Sequence, residues 1–157
     1  MENGKQNLDG MYFYGLPPAN GEAGSQMYVR YSGDNYTRWD YDPATGSYLH
    51  FQDNVYDQGQ GEEFAALTDR LNDQQVSAAN VVVIVAPHQY YQQPPNEIVE
   101  VLLSGSGVAY AMRDGQIYKV NWNRATNSSV LFLTFSDGSR YPFKPGKTWF
   151  QVVGSNT

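Results

Sequence analysis

No cysteine occurs among the 157 residues. Disulfides, thiolate metal centres and a cysteine nucleophile are therefore excluded. Long apolar runs are missing too: none approaches the roughly 18–20 residues that a membrane-spanning helix needs. The opening MENGKQNLDG has neither a basic n-region nor an apolar h-region, so it reads as a polar tail and not as a signal peptide. Positive charge is sparse. Ten Lys and Arg stand against sixteen Asp and Glu, for a formal net charge of −6. The basic residues are scattered, whereas a phosphate backbone or an anionic membrane surface is met by clustered ones, so neither is an expected partner.

Histidine is limited to His50 and His88. Neither has a ligand partner at i+2 or i+4, and a zinc site needs three converging ligands, so no metal or other cofactor is implied. Near-misses to nucleotide motifs also fail. The G-K-T of Gly146–Thr148 would need a glycine five residues before Gly146, where Tyr141 stands, and a helix after it, where WFQVV reads as a strand. Gly105 and Gly107 lack a third glycine at Tyr110, and a G-x-S-x-G elbow fails at Ser104. These two glycines read as a bulge or a close backbone approach within a sheet. DYDPATG (Asp40–Gly46) lacks the ligands and the glycine position of a calcium loop, and reads as a hairpin turn.

What is abundant is aromatic: 15% of the chain, with 13 tyrosines. Flat and branched side chains pack well on a pleated surface, so the composition leans towards β. Alternation marks strands at Met27–Ser32 and Tyr36–Asp42, the latter with Thr37, Trp39 and Tyr41 on one face. Ser47–Asp53 returns from the DPATG turn. NVVVIVAP (Asn80–Pro87) reads as a strand buried on both faces, 88–96 as a loop and Glu97–Ser104 as a strand. Asp114-Gly115 between two alternating runs predicts a type I′ hairpin over Val108–Trp122, and Asp137-Gly138 repeats the pattern. PGKTWFQVV (145–153) closes with a strand. Gly61–Gln75, with Phe64, Leu67 and Leu71 at helical spacing, is the one helix candidate.

The expected fold is mainly β, bordering on α+β: an antiparallel, meander-rich sheet or partly open barrel with one short helix. Residues 1–24 read as a polar tail and Pro/Gly loop, and 25–157 as a single domain. The expected core is Trp39, Tyr41, Val81, Val83, Val85, Val99, Val101, Trp149 and Val152.

Four segments carry a resemblance. NYTRWDYDPATGSYLHFQDN is similar to W-x-Y-D…G-x-Y-x-R-x-x-D-G, and SAANVVVIVA to a buried NVVV strand. LLSGSGVAYAMRDGQIYKVNW is similar to a G-S-G…D-G…W hairpin, and FSDGSRYPFKPGKTWFQVV to an ending N-G…P-G-x-T-W-x-x-V-V. In this order and spacing they resemble the C-terminal domain of the YerB-like bacterial lipoproteins over roughly residues 25–153. The chain departs from that pattern at His50 (arginine in the family), at Asn54 (glycine) and by extra residues around 57–72.

The resemblance implies an exported, extracytoplasmic protein, lipid-anchored at an upstream cysteine, with a separate domain before this one. The family defines no catalytic residue that could be carried over. The expectation is a non-catalytic envelope binding or scaffolding domain. Its partner would be an envelope protein or cell-wall polymer, together with its own N-terminal domain. Tyr36, Arg38, Tyr118 and Trp122 are the candidate binding residues, since rings exposed on a sheet can hold a polymer or peptide. The competing reading of those rings is core packing and cross-strand pairing. The alternatives are a wall-active hydrolase or esterase with His50 or His88 in a cleft beside Ser or Asp, and a purely structural support for the preceding domain. The support reading predicts an uncovered apolar patch on one sheet face.

Overall fold

The computed structural model describes residues 7–32, 35–53 and 61–155. Residues 1–6 of the expected tail lie outside them. The described residues form β1 (Tyr12–Phe13), β2 (Glu22–Ala23), β3 (Gln26–Ser32), β4 (Asn35–Asp42), β5 (Ser47–Asp53), β6 (Phe64–Ala66), β7 (Ser77–Ala78) and β8 (Asn80–Val85). These are followed by β9 (His88–Gln92), β10 (Ile98–Val101), β11 (Gly105–Arg113), β12 (Gln116–Arg124), β13 (Phe132–Thr134), β14 (Pro142–Phe143) and β15 (Thr148–Val153).

The fold is mainly β, as the composition predicts, but without a helix among the described residues and without a closed barrel. Gly61–Gln75 is a strand and a turn, not a helix. Phe64 sits on β6, and the chain reverses at 69–74 through side-chain-capped turns. Asp69 Oδ1 accepts the Leu71 N–H at 2.8 Å, and Asn72 Oδ1 accepts that of Gln74 at 2.9 Å. Asp and Asn compete with helix hydrogen bonding in just this way. Leu71, counted towards the apolar face of a helix, is 94% exposed at the turn. Likewise 88–96 is not wholly a loop. Its first half is β9, which pairs with β10 in a two-stranded arm. The segment before residue 25 also joins the fold: β1 pairs with β14 and β2 with β12.

Two sheets form the body. One has the order β13-β12-β11-β8-β15, with β2 added beside β12; the other has β3-β4-β5-β6, with β7 beside β5. The Asp114-Gly115 hairpin forms as read, both residues taking positive φ (53° and 72°) as a type I′ turn requires. The last strand departs from the expected antiparallel meander. β15 runs parallel to β8, because it reaches the sheet by a crossover and not a hairpin.

β8 is buried on both faces, as its uninterrupted apolar run implies. Val82 and Ile84 enter a large cluster with Tyr118, Trp122, Tyr141 and Phe143. Val81 joins Trp39, Tyr48 and Met112 between the two sheets, and Val83 joins Val29 and Val153. Of the expected core, Val99 and Val101 are exposed on the β9–β10 arm. Trp149 is 37% exposed because β15 ends its sheet.

Polar groups lock the layers together. Gln151, buried on β15, accepts the Trp39 indole N–H at 2.9 Å and donates to Thr37 Oγ1 at 2.9 Å, both on β4. Buried Arg113 donates to the carbonyls of Tyr14, Gly15 and Pro142, each at 2.9 Å, and to Asp114 at 2.8 Å. It thereby fixes the N-terminal segment to the body. The full set of partners offsets the desolvation of a guanidinium that has no solvent access.

Candidate functional site

The four residues chosen from the sequence are not brought together. Tyr118 and Trp122 belong to the interior. Trp122 is 1% exposed, its ring lies against Gly107, and its indole N–H donates to Val85 O at 2.9 Å. A Cβ at Gly107 would come within 2.6 Å of that indole nitrogen, so this glycine marks a close approach, as read. Tyr118 donates to Pro18 O at 3.0 Å and packs edge-on against Tyr141. Alternation along β12 assigns these two rings to one face, and that face is the covered one. The competing reading, core packing, holds for both.

Tyr36 and Arg38 lie on the outer face of the five-stranded sheet, opposite Trp39. The Arg38 guanidinium sits 4.5 Å from the Phe51 ring centre and 4.9 Å from that of Phe64, and pairs with Asp40 at 3.0 Å. Arg30 covers Tyr36 at 5.3 Å. These contacts occupy each cation with an aromatic neighbour on its own sheet.

Neither histidine is hydrogen-bonded to a hydroxyl or a carboxylate among the described residues. His50 is 3% exposed, its two ring nitrogens have no hydrogen-bond partner among the described residues, and it lies between Trp39 and Trp149. Burial pushes its pKa down to about 4, so the ring is neutral. His88 Nδ1 lies 2.9 Å from Ala86 O. Among the described residues no group of three His, Asp or Glu side chains gathers to hold a metal.

What the structure does assemble is an uncovered, tyrosine-lined end of the sandwich. The five-stranded sheet stops at β3, which has no further neighbour there among the described residues. Beyond that edge the opposite sheet continues. Residues Met27 to Arg30 of β3, with Val83, Val85, Tyr110 and Val153 of the opposite sheet, line a shallow, mostly apolar cavity of about 200 Å³. Tyr110 stands directly opposite Val83 in the ladder, and Val108, two residues earlier on the same face, is exposed as well. A second hollow of about 310 Å³ adjoins through Val153 and brings in Tyr31, His88 and Tyr90. Tyr28, at 58% exposed, leans its edge on Phe64. Burial raises the Tyr31 pKa, offset in part by its bond with Gln151, so the phenol stays neutral.

No spacing in the sequence groups Tyr28, Tyr31, Tyr90 and Tyr110. They come from β3, β9 and β11, and only the parallel docking of β15 and the end of the sheet at β3 bring them to one side.

A protein-family model described as "Protein of unknown function (DUF3048) C-terminal domain" matches residues 27–150, so the chain belongs to this family. It is similar to the "Putative lipoprotein YerB" of Bacillus subtilis (strain 168), with 24% identity over 119 residues. That match covers 76% of this chain and 31% of the relative. The crystal structure of YerB from Bacillus subtilis superposes with a TM-score of 0.66 at 23% identity, over 88% of this chain and 43% of that one. The chain thus spans about a third of the length of the curated relative it matches. The membership agrees with the resemblance read from the four segments. Of the departures noted there, His50 lies buried under Trp149, and Asn54 lies outside the described residues.

Proposed function

We propose that this domain is a non-catalytic binding and scaffolding module of an extracytoplasmic, lipid-anchored protein, and that its tyrosine-lined end holds a second polypeptide. The observation carrying this reading is the open end itself. β11 presents Val108 and Tyr110, both exposed, beside β3, the last strand of the second sheet among the described residues. Tyrosine is favoured on such surfaces because it offers apolar area with a polar tip at low entropic cost. An extended segment added to β3 would continue that sheet and lay alternate side chains over the strip.

The occupant to which we commit is the polypeptide that precedes this domain in longer members of the family. Two facts support it: the matching model is that of a C-terminal domain, and two-thirds of the Bacillus subtilis relative lies outside the matched part. The relative's name supports the extracytoplasmic location.

The test is an NMR titration of the labelled chain with the preceding polypeptide of a full-length family member. Shifts are expected in the amides of β3 and at Val85, Val108 and Tyr110, and Tyr110→Arg should weaken binding at least about tenfold. Binding that leaves those amides unmoved, or that Tyr110→Arg does not touch, would refute the assignment.

A further inference from the structure

On the far side of the sandwich lies a cavity of different character. Its volume is about 390 Å³, within the usual range for small-molecule sites. The turn between β6 and β7 supplies Asp69, Asn72, Gln74 and Gln75 to one wall, and Lys147 with Thr148 and Trp149 at the start of β15 forms the other. We propose that this cleft binds a neutral saccharide chain, with the exposed part of the Trp149 ring as its platform. The inference stands independently of the docking proposal, since it uses none of the tyrosine-lined residues.

Three observations carry it. First, the Trp149 ring is held from behind. Trp39 packs on it at 5.5 Å and the neutral His50 stacks on it at 5.4 Å, 26° from parallel. A ring fixed in this way, with its remaining surface in a cleft, offers an apolar face for the C–H side of a sugar at little entropic cost. Second, the opposite wall is rigid and rich in amides. The turn is pinned by the Asp69 and Asn72 caps, and Gln75 Nε2 donates to His50 O at 2.9 Å. The Gln74 side chain has no partner among the described residues and projects from that turn, and an amide can both donate to and accept from hydroxyls.

Third, the charges cancel: Asp69 is the only acid in the lining and Lys147 the only base. A polyanion or a polycation gains nothing there, whereas a neutral polyhydroxylated ring finds both donors and acceptors. A single carboxylate also fits holding better than hydrolysis, because glycoside cleavage calls for two carboxyl groups flanking the bond.

The experiment is a titration of the intact chain with two soluble probes of equal length, a β-1,4-linked N-acetylglucosamine oligomer and a β-1,4-linked glucose oligomer. A cell-wall stem peptide serves as the third arm. Trp39 and Trp122 are buried, so a change in indole emission or in an indole N–H resonance reports on Trp149. At least one glycan is expected to bind and to shift that signal. Trp149→Ala should lower its affinity at least about tenfold. Gln74→Ala, at an exposed turn position that leaves the fold intact, should lower it about threefold. The inference is overturned if neither glycan moves the Trp149 signal of the folded chain, or if only the stem peptide does. It also falls if Gln74→Ala and a folded Trp149→Ala both bind like the parent.

Discussion

The two faces of the six-stranded sheet bear similar residues and meet different fates. One carries Trp122, Tyr118 and Val120 with Ala109 and Ala111. It is closed by the β13–β14 region and by the N-terminal segment that Arg113 holds in place. The other carries Val81 and Met112 under the second sheet, but Val108 and Tyr110 in the open. Alternation within a strand assigns residues to faces. What covers a face is decided by chain segments that are distant in sequence. An aromatic on the first face is architecture, and the same residue type on the second is available surface.

Three experiments put this contrast at risk. The largest expected effect is on the closed face. Trp122→Ala should cost about 3–5 kcal/mol in urea denaturation, from the cavity and the unpaired Val85 carbonyl. A loss below about 1 kcal/mol would mean that this face is not the core. Arg113→Met comes next, at about 2–4 kcal/mol, because the Tyr14, Gly15 and Pro142 carbonyls lose a charged donor. Hydrogen exchange should then accelerate selectively around residues 12–24, and uniform acceleration would contradict the clasp assigned to Arg113.

The smallest concerns the interlayer edge. His50 has a folded pKa of about 4, below the value near 6.5 of an unfolded histidine. The unfolded state therefore binds the proton first, and stability is lost as pH falls through the interval between the two values. From about pH 7 to about pH 5 the loss should be about 2 kcal/mol. His50→Phe, which keeps a ring against Trp149, should flatten that part of the pH profile. An unchanged slope would place the titration elsewhere.

Much of the scaffold was legible in the sequence. Asp114-Gly115 fixed a hairpin because only certain residues tolerate two successive positive φ values, and NVVVIV had to be buried on both faces. The misreadings have local physical causes. Phe64, Leu67 and Leu71 mimic a helix face, but Asp69, Asn72 and Asp73 prefer turns, and Asp73 takes φ 54°. The candidate site was less legible. Tyr118 and Trp122 satisfy every local criterion for an exposed platform, yet are covered by residues 11–18 and 131–143. Trp149 reads as core and is only partly covered, packed on Trp39 and His50 but 37% exposed, because nothing in TWFQVV says that this strand ends its sheet. No spacing links Trp149 to the turn at 69–75 that it faces.

The parallel pairing of β15 with β8 also sets an order in time. β15 supplies Trp149, Gln151 and Val153 to the space between the sheets, and its partners on β8 lie nearly seventy residues earlier, Thr148 opposite Asn80. Until that strand has emerged, Val81 and Val83 lack one flank, and Trp39 lacks the acceptor for its indole N–H. Contacts so far apart in the chain form slowly. A polypeptide built this way completes its core only after β15 has joined β8, later than a string of hairpins would.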